Sequence, residues 1–497
     1  MSFGKILISG AKLLMVAKII SFIGGIAIQL IIVRNSSLAT YGEYATLYGL
    51  SMLFATLSTS YAISNITRFV PEILTKNSGS SLLKVLIVWL IGAIALNIVT
   101  ICIMLYFAND YKILGPLLDD HVLAVYIWFY FSLILYIFSS NVLLSIAKYN
   151  DFTRATIASN SIALIYLVYL VVTRVEIKLE DIFTVTAISQ SVAALLTLLV
   201  GVRGALHGSG SSAIDRRRSR NYGIKSMINE TLSASIGKNV EIILASAVAG
   251  PIGASVISVV QKYAQYLGSI MPTKEITNAA RPLLIAKSVQ NGNENVNTDI
   301  SRISLLVFMV YAVMASLLVP YTYELVSAAF GKQYAEYATI FSLVPLLLLA
   351  QALHYQVGLK CVISEKIEYA IYSKIFAIPL IFASYMMSKS YGISIIIIFS
   401  LVIELTKGVL LYYMMKQGGL ISINYRPYMI ILATLVLPSY VVFCIEIEHY
   451  NYVIIAIPIF VAPILIYKMR DYDSDIKQLI KDIKRVVYHF LPSTGRR

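Results

Sequence analysis

Several charged side chains stand in stretches that are otherwise apolar: Lys18, Glu230, Lys238, Glu241, Lys262, Glu404 and Lys407. A charge at mid-helix in a bilayer costs about 2.5 to 3.5 kcal/mol on the mildest scale, so it faces protein or a water-filled cavity. Ammonium groups there hold an anionic group, and carboxylates there take up and release protons. Lys18 shares a helical stripe with Ser21, Gly25 and Gln29, and Lys12 lies one to two turns closer to the amino terminus. Glu230, Lys238 and Glu241 fall on one broad face of a single predicted helix, and Ser400, Glu404 and Lys407 repeat at i, i+4 and i+7. Two readings stay open for the i,i+3 pairs Lys238/Glu241 and Glu404/Lys407: mutual neutralisation as structural ties, or a place on a cavity wall. Lys262 either lines such a cavity or snorkels from a helix end. The cations outnumber the acids, which favours an anionic substrate. Glu241, Glu404 and Glu230 are the candidates for ion coupling.

Arg68 and Arg281 precede Pro71 and Pro282 at predicted helix ends. They serve chain orientation or loop structure, or they contact a substrate phosphate. Asn65 is expected to hydrogen-bond at a helix end or to act as a ligand. Cys102, Cys361 and Cys444 are far apart, show neither metal spacing nor a disulfide framework, and are expected as buried, inert thiols. No HExxH pair and no nucleotide-binding motif is present, so no cofactor and no metal are expected.

The elements that position these residues follow from composition. The 497 residues are 58% hydrophobic and 13% charged, against about 25% charged in a soluble domain. Apolar runs of about 17 to 25 residues, the length that crosses a bilayer, succeed one another along the chain. The expected fold is an all-α polytopic membrane protein. Its spans are about 10–33, 43–64, 83–107, 122–146, 155–173, 182–202, 226–249, 252–272, 302–320, 337–357, 368–388, 392–414, 428–445 and 451–468, which makes about 14 transmembrane helices. Lysines interrupt the first apolar stretch, so it reads as a retained helix rather than a cleaved leader.

Charge sets the expected orientation. With both termini inside, 30 of the 40 Lys and Arg fall in inside segments, 6 in outside loops and 4 in spans. The run Arg216, Arg217, Arg218 and Arg220 then reads as a cytoplasmic loop near anionic headgroups. Nucleic acid is excluded as a partner because no folded soluble domain accompanies the run. The run divides two similar sets of six spans. Gly42 to Pro71 and Gly253 to Pro282 are both 29 residues apart at matched positions. The expectation is two six-helix lobes, parallel repeats around a central cavity, over 1–206 (the N-lobe) and 225–415 (the C-lobe), joined by a basic loop at 207–224. An added helix pair follows at 416–468. The tail, 469–497, has Ile476, Leu479, Ile480, Ile483, Val487 and Phe490 at helical spacing among basic residues, the pattern of a helix lying on the cytoplasmic leaflet.

Two stretches carry a family resemblance. "AKLLMVAKIISFIGGIAIQLIIVRNSSLATYGEYATLYGL", followed by "ISNITRFVPEIL", resembles the opening of Wzx-type polysaccharide flippases of the multidrug/oligosaccharidyl-lipid/polysaccharide exporter superfamily. The turn Tyr41-Gly42-x-Tyr44 and the stretch Arg68 to Glu72 are its most specific points, and "GPIGASVISVVQKY…ARPLL" resembles the start of the family's second lobe. The resemblance implies a bacterial inner-membrane flippase that is not an enzyme. It implies movement of an undecaprenyl-pyrophosphate-linked oligosaccharide to the periplasmic leaflet for O-antigen, lipopolysaccharide or capsule assembly. Lumen cations would receive the pyrophosphate, here Lys18, Lys238 and Lys262 with Lys12. Implied partners are the lipid-linked oligosaccharide, membrane lipids and the polysaccharide assembly machinery. A multidrug exporter of the same superfamily is the first alternative. A membrane polymerase or glycosyltransferase is the second, opposed by loops of at most about 29 residues, too short for a catalytic domain.

Overall fold

A computed structural model describes residues 23–75, 79–106, 112–146, 149–173, 176–206, 216–270, 293–363, 367–419 and 426–440. The fold is all-α and that of a multi-pass membrane protein. Among the described residues, eight helical stretches are long and apolar enough to cross a membrane, one of them the interrupted 50-residue stretch from Ser219 to Gly268. Shorter apolar helices stand at three further predicted spans: Ile23–Asn35, Ala338–Leu353 and Tyr428–Tyr440. The predicted span 451–468 and the tail lie outside the described residues.

The chain forms two units: Met1–Lys262 with Phe382–Ile396, and Tyr263–Ile381 with Ile397–Arg497. The first holds α1 (Ile23–Asn35), α2 (Leu38–Thr75), α3 (Gly79–Tyr106), α4 (Asp120–Ser145), α5 (Tyr149–Thr173), α6 (Leu179–Leu206), α7 (Arg216–Ser235) and most of α8 (Lys238–Ile270). Helix α2 starts at a serine cap, where the Ser37 hydroxyl accepts from the Thr40 amide at 3.1 Å. At about 57 Å it is far longer than the ~30 Å hydrocarbon core, and it runs beyond the predicted 43–64 through Arg68 and Pro71. Asp119 caps α4, accepting from the His121 amide at 2.9 Å.

In lipid, apolar contact gives no net gain between helices, so close packing and side-chain hydrogen bonds join them. The rings of Tyr44, Tyr48, Tyr126, Phe129 and Phe183 pack together at the centre of the first unit. Around them Ser51 meets Tyr126 at 2.7 Å, Tyr130 donates to Asn97 at 2.6 Å, and Ser139 meets Thr197 at 2.6 Å. The outer faces of α3 and α5 expose Ile87, Val88, Ile91, Ile103, Ile165 and Val172, as lipid contact requires. Cys102 is exposed among them, not buried as expected, because α3 turns that side away from the bundle. Cys361 is buried. Cys444 lies outside the described residues.

The second unit holds α9 (Asn293–Leu318), α10 (Thr322–Phe330), α11 (Val344–Ile363), α12 (Ile367–Ile375), α14 (Ser394–Gln417) and α15 (Arg426–Ile431), with α13 (Ile378–Tyr391) shared between the units. Phe308 meets Tyr428 edge-on, and Tyr263 meets Phe341. The predicted span 368–388 is two helices, interrupted at Phe376 and Ala377.

Candidate functional site

Helix α2 runs antiparallel to α7 and then to the first arm of α8. The contacts fix the direction: Phe69 stacks edge-on with Tyr222, Asn65 accepts from Ser219 at 2.8 Å, and Ser226 donates to Ser64 at 2.8 Å. Farther along, Gly49 faces Asn239 and Ile242, and Gly42 abuts the Pro251 carbonyl. Small residues allow this approach. A Cβ at Gly42 would overlap the Pro251 backbone, and one at Gly223 would overlap Tyr61 and Asn65. Asn65 thus ties two helices from the interior of α2, rather than standing at a helix end.

Two corrections follow for the central stretch. The arginine run is helical from Arg216, because Ser219, Tyr222, Gly223 and Ser226 give α7 a face that docks on α2. The predicted span 226–249 is broken at Ile236 and Gly237, where the Gly237 amide bonds back to the Ala234 carbonyl at 3.2 Å. Glu230 therefore sits on α7, exposed, while Lys238 and Glu241 belong to the next helix.

The break matters chemically. Lys238 is the first residue of α8, exposed at a helix start whose dipole favours an anion. Discontinuous helices present such half-helix ends to anionic groups in transporter sites. Helix α8 then folds back at Ala249 and Gly250. Gly250 has φ of +66°, a left-handed conformation that glycine adopts without penalty. This fold-back falls between the predicted spans 226–249 and 252–272.

The fold-back brings the second arm beside the first. Gln261 donates to Glu241, and Lys238 comes within electrostatic reach of Lys262. Lys262 is half-buried, with its Nζ 5.9 Å from the Tyr48 ring centroid, a cation–π approach from α2. One turn earlier on the same arm, Ser258 meets the Tyr41 hydroxyl at 3.2 Å, and Gln29 from α1 donates to that hydroxyl. The arrangement is two ammonium groups and a helix start, flanked by Glu241, with hydrogen-bonding side chains behind them. It suits a phosphate or another compact anion.

The second unit holds a different constellation. Lys407 donates to Glu404 at 2.7 Å, with side chains 9% and 16% exposed, as the pairing reading expected. Glu404 opens onto a cleft of about 260 Å³ lined by Ser304, Leu353, Val357, Leu405, Val409 and Tyr428.

Of the predicted site residues, Lys12, Lys18 and Arg281 lie outside the described residues, and Arg68 lies within α2. Lys238 and Glu241 stand on the first arm of α8, and Gln261 ties Glu241 to the arm that carries Lys262. Glu404 belongs to the second unit. Tyr48 and Gln261 were not singled out from sequence. Tyr48 had a signal, since Tyr41, Tyr44 and Tyr48 share one helical face. Gln261 had none, because only the fold-back gives it Glu241 as a neighbour.

No family model and no curated protein matches the sequence. Solved structures do match. An inward-facing multidrug resistance MATE family transporter of the MOP superfamily superposes with TM-score 0.65 at 12% identity, covering 82% of this chain and 98% of that one. Lipid II flippase MurJ in an inward closed conformation gives TM-score 0.63 at 15% identity, covering 93% and 99%. An outward-facing multidrug resistance MATE family transporter gives 0.58 at 12% identity, covering 84% and 96%. The long discontinuous helices, the intramembrane charges and these superpositions agree: the chain has the fold that these multidrug and lipid II transporters share.

Proposed function

We propose that the protein is a flippase carrying an undecaprenyl-pyrophosphate-linked oligosaccharide from the cytoplasmic to the periplasmic leaflet of a bacterial inner membrane. The observation that carries this reading is the fold-back of α8, which sets the arm bearing Lys262, beside Tyr48, against the arm that Lys238 begins. The two ammonium groups hold the pyrophosphate, with Lys18 and Lys12 as further cations of the same kind and Arg68 and Arg281 as contacts near the cytoplasmic ends. The glycan crosses in a hydrated path by alternating access, and the prenyl tail stays in lipid. Glu241 sits beside this site and, with Glu230 and Glu404, is a candidate for ion coupling. A duplication of two six-helix lobes, 1–206 and 225–415, belongs to the same proposal.

The test is transport in proteoliposomes loaded with a fluorescent undecaprenyl-pyrophosphate oligosaccharide. The expected result is transbilayer movement of the probe that is lost in Lys238→Ala/Lys262→Ala. Absent movement, together with export of a cationic dye, would replace this reading with a multidrug exporter. In the host, depletion is expected to accumulate complete repeat units on the cytoplasmic leaflet. Unpolymerised units in the periplasm would point to a polymerase instead.

A further inference from the structure

The cleft of the second unit is a constellation that transport of a lipid pyrophosphate leaves without a ligand. Ser304 of α9, Glu404 of α14 and Tyr428 of α15 bring polar side chains to it, and α11 adds apolar wall through Leu353 and Val357. Apolar walls with a few converging polar groups are the pattern of a ligand site. The volume, about 260 Å³, is just under the roughly 300 to 1,000 Å³ that drug-sized ligands fill. Gly408 lines the cleft without a side chain, which keeps the space open. The mouth faces the bilayer, since Leu405 and Val409 are 43% and 64% exposed. Charge limits what can enter. Glu404 is 10 residues from the start of α14, about 15 Å along a helix of about 36 Å, so it stands near mid-membrane. Lys407 already neutralises it at 2.7 Å. An added ion would leave net charge there, at a cost of about 2.5 to 3.5 kcal/mol on the mildest scale. The carboxylate can still accept, because its oxygens offer about four acceptor sites and the ammonium takes one. The complement is uncharged, donates a hydrogen bond and is otherwise apolar.

We propose that this cleft binds an uncharged, hydroxyl-bearing amphiphile that enters from the bilayer, of the class of a long-chain alcohol. Its hydroxyl donates to the Glu404 carboxylate, with Ser304 and Tyr428 as further polar neighbours. Its chain lies along Leu353 and Val357 and leaves between Leu405 and Val409. A phospholipid headgroup does not fit, because its charged phosphate would have to reach mid-helix depth. The occupant ties α14 to α9, α11 and α15 across the cleft and so stiffens the second unit. The site stands whatever substrate the protein carries.

The experiment uses the full chain in phosphatidylcholine nanodiscs with dodecanol that carries a diazirine in its chain. Photolabelled peptides are mapped by mass spectrometry, with unlabelled competitors added. Labelling is expected on α11 and α14 and is expected to saturate. Dodecanol is expected to compete roughly tenfold better than dodecane or dodecylammonium, the worth of one hydrogen bond to a charged group. Equal competition by dodecane would reduce the cleft to a groove for any chain and overturn the proposal. Preference for dodecylammonium would make it a cation site and overturn it too. Val409→Trp, a lipid-facing change at the mouth, is expected to remove most of the labelling. Val88→Trp, at a similarly exposed position on α3, is expected to leave it unchanged. Unchanged labelling in Val409→Trp, or an equal fall in Val88→Trp, would mean bulk lipid contact and refute the site. If Val409→Trp fails to fold, the preference for dodecanol over dodecane in Glu404→Gln/Lys407→Met decides. An undiminished preference there refutes the hydroxyl contact.

Discussion

At the scale of residues, charge on a greasy chain separates into two kinds. Lys238 and Lys262 are like charges on the two arms of one folded-back helix, an arrangement that favours an anion near them. A charge-assisted hydrogen bond is worth about 1.5 to 3 kcal/mol, roughly ten- to hundredfold in affinity. Lys262→Ala and Lys238→Ala are each expected to weaken binding of a lipid pyrophosphate by that factor, measured by titration of the purified protein. Lys262→Arg is expected to retain most of it. Glu404 and Lys407 are the opposite case, unlike charges at 2.7 Å that satisfy each other. Glu404→Gln strands a buried ammonium, which costs about 3 to 5 kcal/mol. Its unfolding temperature in detergent is expected to drop well below that of Glu404→Gln/Lys407→Met, where no charge is left unpaired. An equal drop in both would assign the loss to packing rather than to the pair.

At the scale of elements, the path of α8 depends on backbone that side chains would spoil. Gly250 has φ +66° and ψ −160°, a region that is essentially glycine's alone, and a Cβ there costs about 1 to 3 kcal/mol. Gly250→Ala is expected to lower thermal stability by that amount although nothing lies within 4 Å of the added carbon. Gly42→Val fails for another reason, overlap with the Pro251 carbonyl. Overpacking of this kind costs about 1 to 3 kcal/mol, and it is expected to weaken the Tyr41–Ser258 contact beside it. Gly25→Ala meets nothing within 4 Å and has no unusual backbone angle, so it is the matched control with stability unchanged or slightly raised.

At the scale of the whole molecule, a chain with about 14 predicted spans has two sides, and positive charge assigns them. Alkaline phosphatase fused near residue 110 is expected to be active outside. Fusion within 207–215 is expected to be inactive inside. Activity at 207–215 would invert the orientation and place the α7 arginines in the other leaflet. The chain contains interruptions at Ile236–Gly237 and Phe376–Ala377 inside stretches that hydropathy treats as continuous. Helix-breaking geometry at membrane depth is tolerated only where protein or water satisfies the freed backbone groups. Such breaks therefore mark places to look for function.

Hydropathy is a local property, and what it governs was legible in the sequence. Apolar runs of bilayer length determined the all-α, multi-pass fold, and the Gly250–Pro251 pair determined where α8 turns. Composition placed Lys238, Glu241 and Lys262 in lipid-depth segments and so flagged them. The resemblance pointed toward the transporter fold that the solved structures share. Only the tertiary structure decided who meets whom. Tyr48 and Lys262 are more than two hundred residues apart, and so are Tyr41 and Ser258. Their meeting depends on α2 lying along α7 and α8 through Gly42, Gly49 and Gly223. The arginine run reads as a loop because its own composition is polar. It is helix because its small residues find α2, and no local pattern records a partner that far away.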